Sequence, residues 1–204
     1  MANKNPVMSK RFGGLLPVVV DLETGGLQPE TDALLEVAAV AVRFDEAGTL
    51  VLGDHFSTHV EPFAGARIDP KSLEINGIDP DHPFRFALPE SEMLAHLFAF
   101  VRAQLKTSGC RRAVMVAHNA HFDLAFLQAA IARCNEKSPF HAFTVLDTAT
   151  LGALACQHTV LAKAVQAAGI PFNAHEAHSA LYDADITAQL FCHIVNRWST
   201  SEAT

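Results

Sequence analysis

Val18 to Gly26 reads VVVDLETGG, and this stretch constrains the chain more than any other. Consecutive β-branched residues are stiff at the side chain and suit a pleated, buried surface. The run therefore predicts a strand over Leu16–Leu22, broken by Thr24-Gly25-Gly26. Residues two apart in a strand share a face, so Asp21 and Glu23 emerge side by side at its end. Two carboxylates held that close repel each other and call for a counter-charge. A hard divalent cation with oxygen ligands would supply it. On these two residues alone, a solvated strand end is the competing reading.

Half of the 204 residues are hydrophobic and 18% are charged, which excludes a disordered chain and allows one well-filled domain. The net charge of −7 does not advertise a nucleic-acid binder, but an acidic metal site would itself inflate the negative count. The four cysteines (110, 134, 156 and 192) form no CxxC pair, which fits a reduced cytoplasmic chain. The first residues carry no apolar signal core, and no run approaches the ~20 apolar residues a membrane span needs.

In chain order, residues 1–14 read as a flexible arm, 15–199 as a single domain and 200–204 as a tail. Leu34–Phe44 predicts a second buried strand, with Glu36 inside it as a hydrogen-bonding structural acid. Asp45–Gly48 is a hairpin turn, and His55–Glu61 a third strand. A short helix is expected at Pro70–Asn76. Pro89 opens a longer helix with the apolar stripe Leu94, Leu97, Phe98, Val101 and Leu105. Arg111–His118 reads as a strand, and Asn119 as the cap of a helix reaching Cys134. Phe143–Thr148 reads as the fifth strand. Helices over 149–155 and 160–168 follow. The last helix has Leu181, Ala184, Ala188, Phe191, Val195 and Trp198 on one stripe. A meander followed by alternating strands and helices implies an α/β domain with a mixed five-stranded sheet flanked by helices.

Further carboxylates come from two places. Asp123, in AHNAHFD, falls in the first turn of a helix just past a strand, where the helix dipole alone would favour an acid by ~0.3–1 kcal/mol. Asp183 ends HSALYD. If His178 and Asp183 shared a helix they would point ~140° apart. The better arrangement has Ser179 as cap, Asp183 in the first turn and His178 on the preceding loop, as a general base. Four carboxylates from three elements fit two Mg²⁺ ions ~3.5–4 Å apart acting on a phosphodiester. The pairs His118/His121 and His175/His178 offer a competing zinc reading.

DLE at Asp21, HNAHFD at Asp123 and HSALYD at Asp183 resemble the three motifs of the DEDD exonuclease superfamily, histidine subgroup. TDALLE, NGIDP, MVAHNAHFD, LDTAT and AHSALYD through FCHIVNRW resemble its ribonuclease T family, from about Arg11 to Trp198. The resemblance implies a ribonuclease-H-like fold and 3′→5′ hydrolysis with two Mg²⁺ ions, for which Mn²⁺ can substitute. Asp21, Glu23, Asp123 and Asp183 would be the ligands and His178 the base. It implies trimming of the single-stranded 3′ ends of tRNA, rRNA and other stable RNA precursors, action on single-stranded DNA, and a homodimer. A basic patch of one subunit, here Arg11, Lys106, Arg112 and Lys137, would face the other subunit's site. Thr24, Leu27, Ile75, Phe122 and Phe143 would meet the terminal nucleotides. Leu27 and Ile75 replace expected phenylalanines, Lys71 an expected glutamate and Gly13 an expected arginine, so two stacking contacts become aliphatic wedges. A DNA exonuclease of repair or proofreading, and a non-catalytic RNA-binding module, are the alternatives. The full set of five catalytic-type residues disfavours the second.

Overall fold

A computed structural model describes residues 8–201. Five strands form one sheet in the order β3-β2-β1-β4-β5. β1 (Leu15–Thr24), β2 (Leu34–Phe44) and β3 (Leu50–His59) make an antiparallel meander, while β4 (Arg112–Ala117) and β5 (Phe140–Asp147) run parallel to β1. Val18, Val19 and Val20 are fully buried because β1 is central and helices cover both faces of the sheet. α6 (Ala180–Ser201) lies against β1, β2 and β3; α2 (Glu90–Ser108) and α3 (His121–Cys134) pack on each other and on the sheet. α1 (Pro70–Asn76), α4 (Thr148–Cys156) and α5 (Leu161–Ala167) complete the domain. A second small core joins Ala164 and Val165 of α5 to Ile186, Leu190 and Ile194 of α6.

Several boundaries differ from the sequence expectation for physical reasons. β3 starts at Leu50, ahead of the expected His55, because the Asp45–Gly48 turn sets Leu50 opposite Phe44, and pairing resumes at His55 after an irregularity at Gly53 and Asp54. Residues 8–14, placed in the arm, form two short 3₁₀ turns; Met8 is buried in the core and the Phe12 ring meets Phe191 at 5.9 Å. Residues 1–7 of that arm and 202–204 of the tail lie outside the described residues. Asn119 does not cap α3. It takes a left-handed conformation (φ 65°) and Ala120 occupies the cap position, while the Asn119 amide donates to Asp147 at 3.0 Å. The α6 stripe is buried from Ala184 to Val195, but Leu181 and Trp198 at its ends are exposed. Among the described residues, no helix is long and apolar enough to cross a membrane.

Candidate active site

The acids gather where β1 ends. Asp21 and Glu23 lie in the last four residues of that strand, both half-buried. The following turn is close-packed: a β-carbon on Gly26 would fall 2.0 Å from an Asp32 carboxylate oxygen, so the Asp32 side chain would have to leave the Gln28 amide that it accepts from. β1 pairs with β4 only as far as Val19. Beyond that point Asp123, 4% exposed in the first turn of α3, accepts a hydrogen bond from the Leu22 amide. Asp183, in the first turn of α6, accepts from the His178 amide at 2.9 Å.

These acids crowd one another. Burial first, then repulsion from Asp123, Asp183, Glu23 and Glu36, holds the Asp21 carboxyl well above the ordinary range. Burial and repulsion from Asp183 and Glu36 push Glu23 up to about 8, against a stabilising bond from the Asn76 amide. Asp123 is raised to about 8, chiefly by burial, and Asp183 is raised for the same reason. Each charge named as acting on Asp21 is another carboxylate. An oxygen-rich, uncompensated cluster is what a hard divalent cation fits. One ligand atom each from Glu23, His178 and Asp183 lies within 4.8 Å of the others, which brings the loop histidine to the acids.

His178 is exposed on the loop before α6 and has φ 69°, a left-handed backbone unusual for a β-carbon-bearing residue. It borders a cleft of about 690 Å³ also lined by Asn76, His55, His175, Leu181 and Tyr182. Among the described residues, His118 and His121 join no cluster of three or more possible metal ligands. His118 has its ring nitrogens on the Thr148 hydroxyl (3.0 Å) and the Thr159 carbonyl (2.8 Å), and burial lowers its pKa.

The expected substrate contacts separate into three groups. Leu27, Ile75 and Phe143 are 75%, 62% and 80% exposed, so Phe143 is not the core residue that an apolar strand would suggest. Phe122 is half-buried against Phe126 at 4.9 Å. Thr24 is buried, its hydroxyl donating to the Gly26 carbonyl at 2.7 Å. Lys106, Arg112 and Lys137 are exposed and Arg11 half-buried, its guanidinium 5.7 Å from the Phe12 ring. Arg112 and Lys137 line one cleft. These basic residues sit at the opposite end of the sheet from the acids: Leu15, which begins β1, pairs with Arg112, which begins β4.

Sequence reasoning missed Asn76, whose amide bonds the Thr24 carbonyl at 3.2 Å and also serves Glu23. It also left Glu36 without named partners; these are the Ala180 amide, His59 and Arg85. Asp147 was missed as well, and it steadies the turn before α3 through the Asn119 amide. The asparagine of NGIDP, next to a helix-ending glycine, was the signal available for Asn76.

Known proteins resemble this chain. Two ribonuclease T proteins of Shewanella baltica, strains OS155 and OS185, are each 50% identical over 200 residues, covering 98% of this chain and 88% of theirs. A solved complex of E. coli exonuclease I with a dT13 oligonucleotide superimposes with a TM-score of 0.70 at 18% identity, covering 93% of this chain and 43% of that one. A zinc-bound form of the complex of exonuclease I with single-stranded DNA gives 0.69 at 18%, over 91% of this chain and 41% of that one. At that identity the likeness concerns the fold, and the chain spans less than half of exonuclease I. The RNase_T exonuclease family profile matches residues 18–191. With relatives this close over nearly its whole length, the chain belongs to the ribonuclease T family of 3′→5′ exoribonucleases.

Proposed function

We propose that this chain trims the single-stranded 3′ ends of tRNA and other stable RNAs, releasing nucleoside monophosphates, as a homodimer with two Mg²⁺ ions per site. The observation that carries the chemistry is the set of four acids that crowd one another, beside an exposed histidine. Asp21, Glu23, Asp123 and Asp183 would hold the ions, which supply Lewis acidity toward the attacking water and the leaving 3′ oxygen. His178 takes a proton from the water as it adds to phosphorus. The bond from phosphorus to the 3′ oxygen then breaks, and the terminal nucleotide leaves with its 5′ phosphate. Asn76 keeps the Glu23 carboxylate aimed, through the amide it shares with the Thr24 carbonyl.

The homodimer reading is supported by geometry. Six residues of strand separate Leu15 from Asp21, roughly 20 Å at ~3.3 Å per residue. The basic residues of one protomer are thus better placed to hold RNA that enters a second protomer's site. Arg11, Lys106, Arg112 and Lys137 would grip phosphates and make binding salt-dependent. The unpaired cysteines fit a reducing cytoplasm.

Single-stranded DNA is the second reading, favoured by one observation: exposed Leu27, Ile75 and Phe143 offer apolar surfaces that meet base faces and do not sense a 2′-hydroxyl. The test is a 5′-labelled strand, RNA or DNA, with its 3′ end free or blocked, incubated with Mg²⁺ or chelator. Stepwise shortening of RNA that requires the free end and the metal is expected. Faster loss of DNA would favour the second reading, and binding without shortening would overturn both.

A further inference from the structure

Between α1 and α2 the chain exposes two large aromatic rings, Phe84 at 74% and Phe86 at 80%, on either side of Arg85, which is only 8% exposed. The loop is not loosely tethered. The Arg85 guanidinium donates to the carbonyls of Leu35 and Val60. The Leu88 amide bonds the His59 carbonyl at 3.0 Å, and the Glu61 amide the Leu88 carbonyl at 2.8 Å. Phe86 holds a left-handed backbone (φ 49°), and no burial of its own ring offsets that strain. His82 adds a third exposed ring, 5.9 Å from Phe84. Single exposed apolar side chains are ordinary; two phenylalanines fixed outward by one buried arginine are not.

The loop lies beside the active site. Leu35 precedes Glu36, the cross-strand partner of Glu23. With strands ~4.8 Å apart, the Arg85 anchor falls within about two strand spacings of Glu23. α1, which carries exposed Ile75, is tied to the same end of β1 through the Asn76 amide on the Thr24 carbonyl. We propose that Phe84 and Phe86 form a base-stacking subsite for nucleotides of the substrate strand upstream of the scissile end. This rests on the exonuclease reading above.

Electrostatics fixes what faces the loop. Its one arginine is turned inward, and Glu61, Asp79 and Asp81 are exposed acids close to it. Phosphates are repelled there, so bases meet the rings, and the contact is tolerant of sequence and insensitive to salt.

The test compares wild type with the double variant Phe84→Ala/Phe86→Ala on a trinucleotide and on a 12-nucleotide single strand. KM for the longer strand is expected to rise about 10-fold or more, with kcat, melting temperature and the trinucleotide KM unchanged. Phe84→Trp/Phe86→Trp is expected to restore the longer strand's KM, and the salt slope of binding is expected to stay the same. Equal KM values for wild type and double variant at both lengths would overturn the subsite. So would a rise at both lengths accompanied by a change in oligomeric mass, which would make this a surface between copies of the chain. Metal-free binding of the 12-nucleotide strand, followed by anisotropy, keeps the two readings separable. A 10-fold loss there supports the subsite even if wild type cleaves neither strand, whereas failure to cleave the trinucleotide counts against the exonuclease reading alone.

Discussion

Two neighbouring helices open with a buried acid, and their surroundings are opposite. Glu90, in the first turn of α2, receives both ends of the Arg133 guanidinium at 2.7 and 2.9 Å. That arginine also donates to the Pro29 carbonyl and lies 4.1 Å from the Phe63 ring. Asp123, in the first turn of α3, has backbone amides and other acids around it. A buried charge in a stable fold is normally paired. The pair at Glu90 holds the domain together; the set of acids around Asp123 has the chemistry that a divalent cation fits.

The sharpest way to break this comparison is to neutralise each acid. Asp123→Asn is expected to lower kcat/KM at least ~1,000-fold in the RNA-shortening assay, while the metal-free melting temperature holds or rises. His178→Ala comes next, with kcat down by ~10²–10⁴ and the stabilisation by Mg²⁺ retained, since the acids remain. Arg133→Met behaves in the opposite sense: it leaves Glu90 buried without its partner and is expected to cost about 3 kcal/mol in denaturant unfolding, with the rate per folded molecule retained. The smallest effect is linkage. Glu23 and Asp123 titrate near 8 when folded, against about 4 for unfolded carboxylates. The folded chain therefore holds protons that the unfolded chain has released, so metal-free stability falls as pH rises from ~4 to ~8. Mg²⁺ at about 100 times its dissociation constant adds ~2.7 kcal/mol, and the gain in melting temperature should be larger at pH 8 than at pH 5. A gain independent of pH would mean that the ion does not displace these protons.

The elements most legible in the sequence were those specified by local pattern. Leu34–Phe44 and Pro70–Asn76 have the expected bounds, one from an unbroken buried run, the other from a proline start and a glycine stop with Gly77 at φ 67°. The convergence of the acids and His178 follows from short motifs that each sit beside a strand or helix end. What escaped were contacts made across the chain. The anchoring of Met8, the hold of Arg85 on Leu35 and Val60, and the link from Asn76 to Glu23 join residues far apart in sequence. The exposure of Phe143 and Trp198 escaped for a related reason, since an apolar residue in a strand or on a helix stripe gives no local sign that nothing covers it.

α1 has no buried residue. It is clipped to the turn after β1 at both ends, by the Asp69 amide on the Gly25 carbonyl at 2.6 Å and the Asn76 amide on the Thr24 carbonyl at 3.2 Å. Such a helix is an exchangeable cassette. Lys71 and Ile75 can be rewritten without disturbing the hydrophobic core, so long as Asp69, Asn76 and Gly77 keep the clips and the stop. If Ile75 meets the terminal base as proposed above, choice of that base and rate of hydrolysis become separately adjustable, and a library confined to four or five positions of this helix would sample the first while leaving the second untouched.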